Sequence, residues 1–164
     1  MAGRNNVRVD ETKQGKGGQV DRQEQQGAGS AETDRQDRQG GTVVVLNRDL
    51  MFGMRIRQAL QSLGYASRFA ADTSGFVGLL REMEPPAALG VIDMNGQVDW
   101  ALIRGVKDDA SVPTSILAFG PHVDIDGRRE AKAAGVDRLV SNGDFHRDTA
   151  GLLRRYARPL SQDA

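Results

Sequence analysis

Asp93 closes an apolar run and opens a turn in Val91-Ile92-Asp93-Met94-Asn95-Gly96. If Ala88 to Ile92 form a buried central strand, this carboxylate lies at the strand's carboxyl end, the edge where open α/β sheets place their sites. What it can do there depends on its company. His122 follows a later apolar run, Ser115 to Phe119, and falls on the same edge, where an imidazole can accept a phosphoryl group, ligate a metal or respond to pH. Its plainer reading is a partly exposed loop residue. His146, the only other histidine, belongs to the last helical stretch, so the two make no local metal pair. Asp124 and Asp126 could serve as metal carboxylates, but just ahead of a helical run they are better placed to accept from the free N–H groups of its first turn.

Several chemistries lack their residues. The glycine-rich stretches 15–18 and 27–29 neither follow a strand nor end in Gly-Lys-Ser/Thr, so they make no nucleotide loop. No Gly-x-Ser-x-Gly occurs. The absence of cysteine removes disulfides, thiolate zinc sites and a cysteine nucleophile, and agrees with a reducing cytoplasm, the expected location. With 22 basic and 22 acidic residues there is no global field to recruit nucleic acid or an anionic membrane. No apolar run approaches the roughly 18 residues a spanning helix needs.

The elements that must position Asp93 begin at Thr42. Residues 1–41 are rich in Gly, Gln, Arg and Asp and contain no aromatic residue, a composition that cannot offset an ordering cost of about 1–2 kcal/mol per residue. They are expected to form a disordered tail, followed by one domain over 42–158 and a short C-terminal tail over 159–164. Val43-Val44-Val45-Leu46 has the continuous apolar character of a strand covered on both faces. Phe52, Ile56, Ala59, Leu60 and Leu63 then describe one helix face, stopped at Gly64. Ala66 to Ala71 is a weak strand suited to an edge. A second helix carries Phe76, Val77, Leu79 and Leu80, capped by Asp72 or Thr73, and Ala88 to Asp93 is the third strand. The spacing predicts a third helix over Asp99 to Lys107, with Trp100, Ile103 and Val106 on one buried face. It also predicts a fourth strand over Ser115 to Phe119, a fourth helix over Arg128 to Ala134, a short strand over Arg138 to Val140, and one last helix with Phe145, Thr149, Leu152, Leu153 and Tyr156 inside. Five alternations of strand and helix call for a five-stranded parallel, doubly wound α/β sheet of flavodoxin-like order 2-1-3-4-5.

With its polar cluster after the first strand, Asp93 after the third, Asn95 two residues on, Pro113 before the fourth and Ala134-Gly135 before the fifth, the domain resembles the receiver domain of bacterial response regulators. The resemblance implies that Asp93 stands at the phospho-acceptor position. It also implies a Mg²⁺ held by that aspartate, an acidic pair after the first strand and a backbone carbonyl. The sequence departs from the pattern around it. The acidic-pair positions align with Asn47 and Arg48, and Asp49 could help only by a shift of register. The switch hydroxyl aligns with Ala118, next to a Phe119 large enough to obstruct the pocket. The lysine that pairs with the phosphorylated aspartate aligns with Asn142. Arg48 suggests a substitute for the cation, a charge-assisted pair with Asp93.

These features suggest a degenerate, stand-alone pseudo-receiver, not an enzyme, with no metal or other cofactor, acting in signalling through protein–protein contact. In receivers the face of the fourth helix, fifth strand and fifth helix meets partners or forms homodimers; here it is rich in basic residues, among them Arg128, Arg129, Lys132, Arg138 and Arg147. The alternative is a working two-component receiver phosphorylated on Asp93 with weak Mg²⁺ binding. A flavodoxin-like fold holding a small ligand at its carboxyl edge is a third reading, by fold analogy alone. Asn95 and His122 are the candidate contacts at that edge.

Overall fold

The computed structural model describes residues 40–157; the expectations for 1–39 and 158–164 lie outside the described residues. Five strands alternate with helices: β1 Thr42–Leu46, α1 Leu50–Ser62, β2 Ala66–Ala70, α2 Thr73–Glu82, β3 Leu89–Asp93, α3 Trp100–Asp108, β4 Ile116–Gly120, α4 Ile125–Ala133 and β5 Arg138–Ser141, followed by α5 Asn142–Arg147 and α6 Thr149–Tyr156. All strand pairs are parallel and the order is β2-β1-β3-β4-β5. Hydrogen bonding reaches two residues ahead of Thr42, since Gly40 N donates to Gly64 O and Gly41 O accepts from Ala66 N.

The alternation of side chains along each strand divides the core into two layers. Val43, Val45, Val91, Leu117 and Phe119 pack on one face with Ile56, Leu60, Phe145 and Leu153. Val44, Leu46, Ile92, Ile116 and Ala118 pack on the other with Phe76, Leu80, Ile103, Val106 and Ala131. Every residue of β3 and β4 is buried, which explains why these strands read as unbroken apolar runs. Gly90 is required within β3 because a Cβ there would stand 3.0 Å from Phe76 Cζ, so the α2 ring approaches the sheet at this point. Gly135, at φ 92°, takes the left-handed turn that ends α4.

Aspartates start the helices. Asp49, Asp72, Asp99, Asp124 and Asp148 each accept from backbone N–H groups of the first turn of α1, α2, α3, α4 and α6. This corrects two boundaries. With Asp124 as its cap, α4 starts at Ile125, three residues before the expected Arg128. The expected single last helix is two, broken at Asp148, where φ −143° and ψ 54° leave the helical region. Phe145 and Leu153 are both buried in the same layer, so their spacing concealed the break. Trp100 is half-buried at the border of its layer, while Ile103 and Val106 fill the interior.

Phe76 is fully buried and its ring closes the space above Gly90. Phe76→Ala is expected to cost about 3–5 kcal/mol of stability in chemical denaturation; a loss of less than about 1 kcal/mol would show that α2 does not seal this layer.

Candidate functional site

β1 and β3 run side by side with Leu46 opposite Ile92, which places Asn47 beside Asp93 on the same sheet face. Asp93 is 6% exposed and Asn47 9%. Asp93 Oδ1 accepts two hydrogen bonds from one residue, Asn95 N at 2.9 Å and Asn95 Nδ2 at 2.6 Å. Asn95 in turn exchanges amide hydrogen bonds with Asn142: Asn95 Nδ2 donates to Asn142 Oδ1 at 3.0 Å, and Asn142 Nδ2 donates to Asn95 Oδ1 at 2.9 Å. The chain Asn142–Asn95–Asp93 thus ties the first residue of α5 to the end of β3 through neutral amides. Both amide atoms of Asn47 are buried without a partner. Asn47, Arg48, Asp49, Asp93, Asn95 and Gln97 line a cleft of about 280 Å³.

The expected pair between Arg48 and Asp93 is not formed. Arg48 Nε donates to Ala71 O at 2.6 Å. Its Nε thus faces the turn after β2, while the residue still lines the cleft with Asp93. Asp49 Oδ1 accepts from Met51 N and Phe52 N, so this carboxylate is engaged in starting α1. Among the described residues no group of three or more His, Cys, Asp or Glu side chains is arranged to hold a metal ion.

Ala118 does not reach the edge. It is paired with Ile92, fully buried, one residue behind Asp93. The strand ends instead at Gly120, where a Cβ would stand 2.7 Å from Met94 Cβ, so a side chain there requires Met94 to move. Phe119, the partner of Asp93 across the ladder, leaves the cleft open because its ring stacks in the core on Phe145 at 3.9 Å. His122 is exposed and borders a separate shallow pocket with Ile125, Arg128, Arg129 and Lys132.

The histidine that approaches Asp93 is His146. Its ring stacks on Phe52 at 4.3 Å and meets Phe119 edge-on at 5.7 Å, and its Nε2 is buried without a partner. Burial lowers its pKa below the ordinary 6.5; the positive charge of Arg55 acts in the same direction and the negative charge of Asp93 opposes both. The clue available in the sequence was its position five residues after Ser141, the end of β5, where a short helix must turn back across the carboxyl edge.

No protein-family model and no curated protein sequence matches the chain. Solved structures do. The chemotaxis response regulator CheY4 of Vibrio cholerae is 18% identical, covering 71% of this chain and 98% of its own, with a TM-score of 0.60. The receiver domain of a sensor histidine kinase from Pseudomonas aeruginosa, with a magnesium ion coordinated in its active-site cleft, is 17% identical over 71% of this chain and 97% of its own, with a TM-score of 0.61. A signal receiver domain of a histidine kinase from Syntrophus aciditrophicus is 14% identical over 76% and 95%, with a TM-score of 0.62. The domain therefore has the fold of the receiver domains found in response regulators and histidine kinases.

Two substitutions test the site's energetics. Asn47→Leu, which removes two unpartnered buried polar atoms at similar volume, is expected to raise stability by about 1–2 kcal/mol; a loss of stability would mean that Asn47 has a partner in solution. For His146, the folded-state pKa lies below the unfolded one, so the unfolded chain binds more protons as pH falls. Stability is therefore complete above 6.5 and declines as pH drops through the folded value. His146→Phe should flatten this decline in thermal melts recorded across the acid range, and an unchanged profile would assign it to other groups.

Proposed function

We propose that the chain is a receiver-fold signalling module that works through protein contact, without phosphoryl transfer at Asp93. The observation that carries this reading is the neutrality of the carboxylate's surroundings: Asn47 lies at its side and Asn142 closes the far end of its hydrogen-bond chain. Phosphoryl transfer to a carboxylate depends on cations that take up the charge of the phosphoryl oxygens. Arg48 Nε is bound to Ala71 O, and Asp49, the other carboxylate on the cleft, is exposed and uses its Oδ1 as a helix cap. A magnesium ion needs more anionic oxygen than this.

Contact through α4 and its neighbours agrees with the exposed side chains there. Val123 and Ile125 are 72% and 66% exposed, and Ile125 shares its pocket with Arg128, Arg129 and Lys132. An apolar pair beside three cations suits a protein partner with an acidic, partly apolar surface, and a second copy in a homodimer is the other occupant this face would take. Among the described residues no helix is long and apolar enough to cross a membrane.

Incubation of the purified chain with Mg²⁺ and acetyl phosphate, read by intact mass, is expected to give no phosphoryl adduct. A Mg²⁺-dependent adduct that disappears in Asp93→Asn would establish the alternative, a working receiver.

A further inference from the structure

Charges on α4 and the loop before it are sorted onto two sides. Asp124, Asp126 and Glu130 line a groove shared with the starts of α2 and α3. His122, Ile125, Arg128, Arg129 and Lys132 line a separate shallow pocket of about 320 Å³ with no acidic side chain in its wall. The helical repeat produces this sorting, since Ile125, Arg128, Arg129 and Lys132 stand at i, i+3, i+4 and i+7 on one face. Three cations therefore border one pocket with little to neutralise them. Among the described residues Arg128 and Lys132 form no ion pair, and Arg129 has only Asp126 at 4.0 Å, with both side chains mostly exposed. Arg128 is half-buried, and its Nη1 is enclosed by protein and donates to no acceptor. That nitrogen cannot itself touch a ligand. Its enclosure instead holds one edge of the guanidinium and withdraws part of its charge from water, so an anion in the pocket would stabilise a cation that the described fold leaves uncompensated.

We propose that this pocket receives a phosphate monoester, the phosphorylated side chain of a partner protein. A carboxylate carries one charge and is matched by a single guanidinium fork. A phosphate monoester carries a charge of about −1.5 to −2 and offers three terminal oxygens, one for each of the three cations. The imidazole of His122 adds an N–H donor at the rim. The protein source follows from what borders the cations. Ile125 supplies an exposed apolar wall, and Val123, next to His122 in the chain, is also exposed. The neighbours of a phosphorylated residue can cover these side chains, whereas a free phosphate cannot. The pocket shares no residue with the cleft at Asp93. The inference rests on the reading of protein contact through α4 and deepens it by naming the group the partner presents.

The full chain is titrated at constant ionic strength with N-acetyl-phosphoserine-leucine methylamide, its aspartate counterpart and inorganic phosphate, and the amide resonances of His122, Ile125, Arg129 and Lys132 are followed by ¹H–¹⁵N NMR. Saturable millimolar binding of the phosphopeptide is expected, about tenfold or more tighter than that of the aspartate peptide. Arg128→Gln should weaken it about tenfold, as for the loss of one charge-assisted bond. Lys132→Gln, at an exposed position, should weaken it as well, so the result does not depend on how the half-buried Arg128 tolerates replacement. Arg104→Gln, which removes an exposed cation from α3, should leave it unchanged. Inorganic phosphate should bind more weakly than the phosphopeptide, and Ile125→Ser should remove only that difference. No saturation, or indifference to both Arg128→Gln and Lys132→Gln, would overturn the site. Equal binding of the aspartate peptide would overturn the phosphate and leave contact with an acidic partner standing. Inorganic phosphate binding at least as tightly as the phosphopeptide would overturn the protein source. The reading of Asp93 fails by a different result, a phosphoryl adduct in the intact mass after acetyl phosphate.

Discussion

Burial of the three central strands on both faces is the constraint on which this molecule depends. With Val43, Val44 and Val45 of β1, all of β3 and all of β4 enclosed between helices, the sheet has no interior room for polar side chains. Such groups can stand only where the strands run out. Asn47, Asp93 and the amides that reach them are therefore gathered at the carboxyl edge by the packing of the core. The caps Asp49, Asp72, Asp99 and Asp124 belong to the same arrangement, since each crossover helix must begin near a strand end and satisfy its free N–H groups there.

At that edge, hydrogen bonding replaces ion pairing. Asn142–Asn95–Asp93 connects the start of α5 to the end of β3 by directional bonds between neutral amides and one carboxylate. Such a link positions the loop without the charge compensation that a cation would bring. The far side of the same edge is apolar, where Phe52, His146, Phe119 and Phe145 form a continuous aromatic group. Asp93 thus accepts from the amide network on one side, while its ladder partner Phe119 belongs to the aromatic group on the other.

The fold was legible because its signals are local and repeated. Val43 to Leu46 and Leu89 to Asp93 declare buried parallel strands by composition, and Ile56 with Leu60 or Ile103 with Val106 declare helix faces by spacing. The site was legible only where the backbone dictates it. Asp93 and Asn47 fall at strand ends and were found where strand register puts them. Arg48 was misplaced because a long side chain can reach several acceptors, and which one it meets, here Ala71 O, depends on the turn after β2 and not on its own neighbours in sequence. Ala118 was placed one step too close to the edge because the proline before β4 does not fix the ladder, whereas pairing of Phe119 with Asp93 does. The break at Asp148 was hidden by an apolar period that continues across it.

On the proposed reading, Asp93 holds no divalent cation because an amide, not a carboxylate, stands beside it at Asn47. Titration calorimetry with Mg²⁺ on the native chain and on Asn47→Asp measures this directly. The native chain is expected to give no saturable binding at millimolar Mg²⁺, and Asn47→Asp to gain it. Saturable binding by the native chain that is abolished in Asp93→Asn would contradict the claim.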